Sequence, residues 1–306
     1  MFASPIAATT RYCAVYGQPI KHSASPAMQN AGIAAMKLNW RYLAFEVHPE
    51  SLRDAIAGAK AMKFIGLNLT VPHKLIAVDL VDVLDDSARA WGAVNTIRFE
   101  GMDGDGAWRP LAELADSNPE TIRSHGFNTD ADAITRSLQE DLGLEVRGAS
   151  VLLLGAGGAG RTAALKLATE GVSELFLINR TPSKVAALII EIQQRFPLVK
   201  THSGYPAPTR NVDLVLNATS LGLKPEDASP FDATQYSLGR AGTAYDMIYR
   251  PAETPGLQSA RAAGCRTANG IGMLLHQGAR ELELWSGLNP PIEVMRDALR
   301  KNVYGS

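Results

Sequence analysis

The sequence predicts an α/β protein of two domains, one of which contains a doubly wound parallel sheet. The chain has 306 residues, of which 46% are hydrophobic and 20% charged, and this favours two cores over one. Strand-like and helix-like segments alternate along two stretches, residues 11 to 95 and the chain after about residue 130. A glycine-rich turn stands between a strand and a helix of the second stretch.

The first stretch begins with strand-like segments and two proline-marked helix starts. The predicted strands cover Tyr12–Tyr16, residues 41 to 47 and residues 64 to 70. Leu43, Phe45 and Val47 alternate along the second of them and should share a face. Ser25 followed by Pro26 is typical of an N-cap with proline at the first helical position. Pro72 predicts a second helix start directly after a strand.

The second stretch has the lengths expected of strand–helix units around a buried parallel sheet. A helix is predicted over residues 130 to 142. Apolar runs predict strands over residues 151–155, 175–179, 213–219 and 244–249. Strands that alternate with helices in this way favour a parallel, doubly wound sheet.

The stretch between the two is rich in Gly, Asp and Pro and is the least regular part of the sequence. Residues 97 to 127 form either a long surface excursion or a short helix over residues 109 to 116 flanked by loops. The DGDG at residues 103–106 resembles a fragment of a calcium loop, but the third acidic position and the distal Glu are missing. Because the six histidines also lack ligand spacing, we predict no metal site.

Charge and cysteine content exclude several classes of protein. The net charge of −1 provides no strong field for nucleic acid or for an anionic membrane. The N-terminus lacks a signal-peptide core, and no run of about 18 apolar residues occurs. Cys13 and Cys265 lie far apart and are expected to be structural thiols. We therefore expect a cytoplasmic protein, monomeric or homodimeric, whose partners are small molecules.

The glycine-rich turn predicts a dinucleotide site. Gly155, Gly157 and Gly160 form a GxGxxG pattern that follows a strand and opens a helix, as in a Rossmann-like domain, although an ordinary glycine-rich turn would look the same. An NAD site usually has Asp or Glu at the end of the next strand. Here Asn179 is followed by Arg180, and Lys184 adds a second cation; these match a 2′-phosphate and predict NADP, unless they are solvated surface charges.

Eight motifs follow one another along most of the chain. They are GQPIKHSASP at residues 17–26, NLTVPHK at 68–74, GAVNT at 92–96, NTD at 128–130, GAGGAG at 155–160 with NRTPSK at 179–184, NATS at 217–220, YDMIY at 245–249 and GIGMLLHQ at 270–277. Together they resemble the shikimate dehydrogenase family. Residues 97 to 127 form a longer stretch than is usual in that family, and Ala131 stands where Gly is commoner.

The resemblance implies a domain organisation and an activity. A substrate domain of residues 1–129 and 270–306, to which the C-terminal helices return, would flank an NADP domain of residues 130–269, with the active site in a cleft between them. The activity would be the reversible NADPH-dependent reduction of 3-dehydroshikimate to shikimate, a step of aromatic amino-acid biosynthesis. Two alternatives remain: a paralogue acting on quinate or aminoshikimate, and a ligand-binding regulator without catalytic activity.

The resemblance also assigns residues to roles. Lys74 and Asp130 would be catalytic. Ser23 and Ser25 would hold the substrate carboxylate, and the ring would be lined by Thr70, Asn95, Asp130, Tyr249 and Gln277. The cofactor would be bound by Gly155, Ala156, Gly157, Gly158, Ala159, Asn179, Arg180, Thr181, Lys184, Met247 and Gly270.

Chemical reasoning about the residues supports the catalytic pair. Hydride transfer to a ketone leaves negative charge on oxygen, which must be stabilised and protonated. Lys74 lies at a strand-to-helix junction, and an ammonium group suits both tasks. Asp130 would hold the lysine, and which of the two transfers the proton stays open because a coupled pair titrates together. Taken alone, Lys74 would also fit a solvated lysine at a helix start, and Ser25 a plain helix cap.

Overall fold

The computed structural model describes residues 5–114, 119–224 and 226–305. The chain divides into two compact units. The first unit comprises the chain up to Asp130 and again from Leu275 onward, and the second unit comprises Ala131–Leu274. Each unit has its own sheet with helices around it, so the predicted α/β fold class is confirmed.

Strands and helices alternate along the described chain. The strands are β1 (Arg11–Gly17), β2 (Trp40–Glu46), β3 (Gly66–Leu69), β4 (Val83–Leu84), β5 (Thr96–Met102), β6 (Trp108–Pro110), β7 (Ile122–Phe127), β8 (Ser150–Leu154), β9 (Glu174–Ile178), β10 (Lys200–Ser203), β11 (Val212–Asn217), β12 (Ala241–Asp246) and β13 (Arg266–Asn269). The α-helices are α1 (Ser25–Ala35), α2 (Leu52–Ala61), α3 (His73–Ile76), α4 (Asp86–Trp91), α5 (Asp130–Leu142), α6 (Gly158–Thr169), α7 (Pro182–Arg195), α8 (Pro255–Ala262), α9 (Ile271–Ser286) and α10 (Ile292–Tyr304).

The first unit is built on a mixed sheet with the order β2-β1-β3-β5-β7-β4, and β6 pairs with β5. β1 runs parallel to β2 and β3, whereas β5 is antiparallel to β3, β6 and β7. Trp285 of α9 is fully buried, and its indole Nε1 donates to the carbonyl of Ile97 at 3.0 Å. The C-terminal part of α9 is thereby fixed to the sheet of the first unit.

The second unit has a parallel sheet with the order β10-β9-β8-β11-β12-β13. β8 lies at the centre and its five residues are all buried, as the apolar run at this position predicts. The chain proceeds from β8 to β9 and β10 on one side and then to β11, β12 and β13 on the other. The carboxyl ends of β8 and β11 therefore form a topological switch point, the usual ligand position in such sheets.

Two local predictions in the first unit are wrong. Helix α1 begins at Ser25 itself and its N-cap is Ala24, so Ser25 is not the cap. Residues 97 to 127 contain two antiparallel strand pairings and a 3₁₀ turn at Leu111–Leu114, with no α-helix among the described residues of 109 to 116; residues 115–118 lie outside the described ranges. On the edge strand β2, Leu43 and Phe45 are exposed, and Tyr42 on the opposite face is buried.

The short strands β10 and β13 of the second unit and the two-residue strand β4 of the first unit are missing from the sequence-based prediction. The predicted helix over residues 130 to 142 coincides with α5. Throughout the described ranges, no helix combines the length and the apolar character that crossing a membrane requires.

Candidate active site

A lysine–aspartate pair forms the centre of the candidate site in the first unit. Lys74 lies in the short helix α3, and Asp130 is the first residue of α5. Lys74 Nζ lies 2.7 Å from Asp130 Oδ2, and the two side chains are 29% and 9% exposed. The Asn128 side chain accepts a hydrogen bond from the Asp130 amide at 3.1 Å, which fixes the start of the helix. An ammonium group is thus held at the edge of a buried carboxylate.

Asn95 holds the second oxygen of that carboxylate. Its Nδ2 donates to Asp130 Oδ1 at 3.1 Å and lies 3.4 Å from Gln277 Oε1. The amide of Val94 donates to the carbonyl of Lys74 at 2.9 Å, so the strand-to-helix junction and the start of β5 are joined directly. The structure therefore brings together four residues predicted from the sequence, Lys74, Asn95, Asp130 and Gln277.

Further buried polar residues surround Asn95. Asn95 Nδ2 also donates to Thr129 Oγ1 at 2.8 Å, and Asn95 Oδ1 accepts from the Thr129 amide at 2.8 Å. Glu281 of α9 is 3% exposed, and its Oε1 lies 3.4 Å from Thr129 Oγ1 and 3.5 Å from Thr96 Oγ1. Burial, followed by the charge of Asp130, raises the pKa of Glu281 well above its usual value, although Lys74 and two hydrogen bonds oppose this.

The predicted carboxylate-binding serines lie where α1 begins. The Ser23 hydroxyl accepts a hydrogen bond from the Ser25 amide at 3.4 Å, and both serines are partly buried. The N-cap residue Ala24 provides no side-chain acceptor and Pro26 has no N–H, so the Ala27 amide is the N–H of the first turn that is available to a ligand. The amide of Thr70 donates to the carbonyl of Tyr16 at 3.0 Å, which attaches Thr70 to the end of β1 just before this loop.

The glycine loop of the second unit has the shape that a pyrophosphate requires. Gly155 has φ +107°, and a Cβ there would lie 2.9 Å from the carbonyl oxygen of Ala218. A Cβ on Gly160 would lie 2.0 Å from the carbonyl oxygen of Gly155, so only glycine allows the helix to approach the strand so closely. Gly157 and Gly158 face open space, and α6 begins without a side-chain cap. Free N–H groups at this position favour an anion.

The loop after β9 carries the residues predicted to select the phosphorylated cofactor. Asn179 Oδ1 accepts from the amide of Ala156 at 3.0 Å, and Asn179 Nδ2 donates to the carbonyl of Thr181 at 3.1 Å. The two loops are therefore joined by one side chain. Arg180 and Lys184 are exposed, and neither forms an ion pair within the described ranges. Both cations are available for a ligand phosphate.

The remaining predicted cofactor residues lie at the carboxyl ends of β12 and β13. The amide of Met247 donates to the carbonyl of Asn217 at 3.0 Å, and the amide of Gly270 donates to the carbonyl of Ile248 at 3.1 Å. Met247 and Gly270 thus belong to the same edge of the parallel sheet as the glycine loop. Tyr249 is partly buried in the second unit. The residues present fit a dinucleotide.

Comparison with known proteins decides the family. A shikimate dehydrogenase (NADP(+)) from Methanopyrus kandleri is 36% identical over 301 residues, which is 97% of this chain and 97% of the relative. The chain belongs to the shikimate dehydrogenase family. Three domain families match along it: the shikimate dehydrogenase substrate binding domain at residues 15–97, shikimate / quinate 5-dehydrogenase at residues 137–223, and the shikimate 5′-dehydrogenase C-terminal domain at residues 270–300. The predicted family is confirmed.

Solved structures of this family share the fold. A crystal structure of a shikimate dehydrogenase in complex with NADP+ has a TM-score of 0.84 and 33% identity, and the match covers 99% of each chain. The enzyme of Thermus thermophilus, in complex with NADP(H) and shikimate, has a TM-score of 0.77 and 32% identity, covering 95% of this chain and 99% of that one. The predicted two-domain fold with a Rossmann-like sheet agrees with both.

Sequence reasoning missed Glu281, Gln29, Thr96 and Thr129. Gln29 Nε2 donates to Glu281 Oε2 at 3.0 Å, and both residues are buried. One signal was present in the sequence. Glu281 follows Gln277 by four residues, a spacing that places both side chains on one face of a helix.

Proposed function

We propose that this protein catalyses the reversible NADP-dependent reduction of 3-dehydroshikimate to shikimate, with Lys74 and Asp130 as its proton-handling pair. The observation that carries the proposal is the 2.7 Å ion pair between them, held from the other side by Asn95. Lys74 is partly exposed and Asp130 is buried, and such a charged pair can exchange protons with a substrate oxygen.

The chemistry assigned to the pair follows from where charge develops. NADPH, when bound, supplies the hydride that reduces the ketone carbon. The ketone oxygen then becomes negative, and the Lys74 ammonium stabilises it and delivers a proton from the pair. Asp130 favours the charged form of the lysine and orients it. Asn95 can keep donating to Asp130 while this happens, because its amide cannot lose a proton in this pH range.

We assign the substrate carboxylate to Ser23 and Ser25. Two hydroxyls and the Ala27 N–H in the first turn of α1 form a neutral, polar site for an anion. We assign the binding of the ring hydroxyls to Thr70, Asn95, Asp130 and Gln277. Tyr249 is added to these residues on the family resemblance alone. The contacts among Asn95, Asp130 and Gln277 support the assignment.

We assign the cofactor to the second unit, with its pyrophosphate on the glycine loop and its 2′-phosphate on the loop after β9. The N–H groups of Gly157, Gly158 and Ala159 open helix α6. Arg180 and Lys184 are exposed cations, and no carboxylate stands between Asn179 and Lys184. Met247 and Gly270 complete the same sheet edge.

Quinate is the second candidate substrate, because the family matched over residues 137–223 is described as shikimate / quinate 5-dehydrogenase. Quinate carries an additional hydroxyl on the carbon that bears the carboxylate. The space beside Ser23 and Ser25 would therefore decide between the two acids. Initial rates with shikimate and quinate, each with NADP+ and NAD+, measured from the absorbance of the reduced nicotinamide, test both candidates. No turnover with any pair would exclude a dehydrogenase of this kind.

Lys74→Ala tests the catalytic assignment. We expect the turnover rate to fall by at least about a thousandfold, because the developing oxyanion loses both its cation and its proton source. The affinity for NADP+, measured by fluorescence titration, should change little. Lys60→Ala is a matched control, since Lys60 also forms a 2.7 Å ion pair with an aspartate and its side chain is 30% exposed. A turnover near that of the wild type would remove the role given to Lys74.

Arg180→Ala tests the cofactor assignment. We expect the KM for NADPH to rise about tenfold, which corresponds to about 1.4 kcal/mol, while the KM for NADH stays close to its wild-type value. Steady-state kinetics with both cofactors measure the ratio. Arg261→Ala, another exposed arginine of the second unit, serves as the control. An unchanged preference for NADPH over NADH would contradict the 2′-phosphate site.

We also propose that the protein works in the cytoplasm without nucleic-acid or membrane partners. Its net charge of −1 and its two buried free thiols, Cys13 and Cys265, support this. Both a monomer and a homodimer are compatible with the proposed reaction.

A further inference from the structure

Glu281 is a buried carboxyl group that the proposed chemistry does not use. It lies on α9 one turn beyond Gln277, and only 3% of the residue is exposed. Its hydrogen-bonding partners in the described part of the chain are neutral. Gln29 Nε2 donates to Oε2 at 3.0 Å, and the hydroxyls of Thr129 and Thr96 lie 3.4 Å and 3.5 Å from Oε1. A buried carboxylate normally requires a cation or several strong donors, and these contacts are few and long.

We propose that Glu281 is a positioning residue of the active site, which in its uncharged form orients the hydroxyls of Thr129 and Thr96 and thereby holds the Asn95 amide against Asp130. The inference rests on the proposed function, because it takes Asp130 and Lys74 as the catalytic pair. Glu281 itself touches neither of them.

The hydrogen bonds between Glu281 and Asp130 form a continuous chain. Thr96 Oγ1 donates to Asn95 Oδ1 at 3.1 Å, and Thr129 Oγ1 accepts from Asn95 Nδ2 at 2.8 Å. With both ends of its amide engaged, Asn95 can direct its remaining N–H at Asp130 Oδ1, 3.1 Å away. A protonated Glu281 has one O–H to donate to a threonine oxygen and a carbonyl to accept from Gln29. Each group between Glu281 and Asp130 then has a partner of the correct kind, whereas the buried Oε1 of Gln29 has none among the described residues.

The charges around Glu281 favour this uncharged form. Burial has the largest effect on the pKa of Glu281 and raises it, the charge of Asp130 raises it further, and Lys74 lowers it. Cys13 of β1 and Tyr42 of β2 also face Glu281, and burial raises the pKa of both, so both stay neutral. Among the described residues, Lys74 and Asp130 are therefore the charged groups whose electrostatic effect reaches Glu281, without direct contact. An ionised Glu281 would place a second negative charge beside Asp130 and weaken the hold on it.

Glu281→Leu and Glu281→Gln test the positioning role through kinetics. We expect the leucine variant to lower kcat at least tenfold while the KM for shikimate changes less than threefold, because the pair is misplaced and the substrate contacts remain. Glutamine has an oxygen for Gln29 and an NH₂ for the threonines, and it should restore kcat to within threefold of the wild type. Glu283→Leu is the control: Glu283 lies on the same helix, is partly exposed and pairs with Arg280. An unchanged kcat in a folded Glu281→Leu variant would overturn the proposal.

Thr129→Val provides a second test where Glu281→Leu does not fold. Valine has the same shape and lacks the hydroxyl that joins Glu281 to Asn95. We expect the same pattern as for the leucine variant, a kcat lowered at least fivefold with a small change in KM. A kcat equal to that of the wild type, with the melting temperature preserved, would show that the chain does not reach Asn95 and would overturn the proposal.

The charge state of Glu281 is tested by measuring how the stability of the protein depends on pH, rather than by measuring activity. A folded-state pKa raised above the usual value of 4.5 means that the native state binds more protons than the unfolded state, so stability falls as pH rises above about 4.5. Glu281→Gln removes this loss. Its melting temperature relative to the wild type should therefore increase between pH 5 and pH 9. A pH-independent difference for Glu281→Gln would overturn the uncharged state. The melting temperatures can be measured even if the wild type turns over neither shikimate nor quinate. That result would refute the proposed function and would leave the charge state of Glu281 still testable.

Discussion

Two glutamates of the first unit are almost equally buried and yet have opposite environments. Glu100 of β5 is 2% exposed and Glu281 of α9 is 3% exposed. Burial raises the pKa of Glu100, but hydrogen bonds from His125, Arg98 and Arg123 and the charge of Arg98 outweigh it and lower that pKa to about 2. The pKa of Glu281, among neutral donors and next to Asp130, moves in the opposite direction. Burial alone therefore does not decide whether a carboxyl group is charged.

The difference follows from how each glutamate obtains its neighbours. In the antiparallel pair of β5 and β7, Glu100 is the direct partner of Arg123, and Arg98, two residues before Glu100, is the direct partner of His125. One local register thus places Arg98, Arg123 and His125 around Glu100. The partners of Glu281 come from α1, the start of β5 and the residue before α5, and each is an amide or a hydroxyl. The first cluster holds a sheet together, and the second lies beside a residue of the proposed catalytic pair.

Among the variants that test the difference between the two glutamates, Glu100→Gln should change the stability most. We expect a loss of about 3 kcal/mol in the free energy of unfolding at pH 7, because the two arginines and His125 lose their carboxylate. The arginine side chains are 22% and 27% exposed, so water recovers part of the cost. Urea unfolding at pH 7 measures the change, with Glu281→Gln in parallel and expected to show no such loss. Equal losses in the two variants would mean that the two glutamates are equivalent.

The same variant distinguishes the two glutamates by pH. A pKa lowered to about 2 means that Glu100 stabilises the folded state above its usual value of 4.5 and that this contribution is lost as the pH falls toward 2. Between pH 5 and pH 3 the wild type should therefore lose stability faster than Glu100→Gln. The loss of stability caused by Glu281 appears instead as the pH rises above about 4.5. Parallel stability curves for the wild type and Glu100→Gln on the acid side would contradict the assignment.

The sequence predicted the regular part of the fold well, because long periodic segments leave few alternatives. The helix α5 and the buried strand β8 were located almost to the residue. The two short strands of the second unit were missed, since four residues with little apolar content have no period to detect. Residues 97 to 127 were misjudged because Gly and Asp mark turns equally well around loops and around hairpins. Here they join antiparallel strands, and that is where Glu100 lies.

The site was predicted as far as the motifs extended. Lys74, Asn95, Asp130 and Gln277 meet in the structure, and their motifs lie far apart in the sequence. Glu281 lies outside every motif and a glutamate on a helix is usually solvated, so its helical spacing from Gln277 was the one local sign that it faces the site. Its partner Gln29 lies near the other end of the chain. Contacts between residues so far apart depend on tertiary packing, which a single sequence does not reveal.

Arg123→Lys should have the smallest effect and sharpens the comparison further. Arg123 Nε donates to Glu100 Oε2 at 2.7 Å, and its guanidinium lies 4.3 Å from the centre of the Trp108 ring. Lysine keeps the charge but loses the planar fork and the stacking, so we expect a loss of about 1 kcal/mol at pH 7. The acid side of the stability curve should stay close to that of the wild type, because Arg98 and His125 still surround Glu100. A loss as large as that of Glu100→Gln would mean that the pairing depends on the fork of one arginine rather than on the summed charge of the cluster.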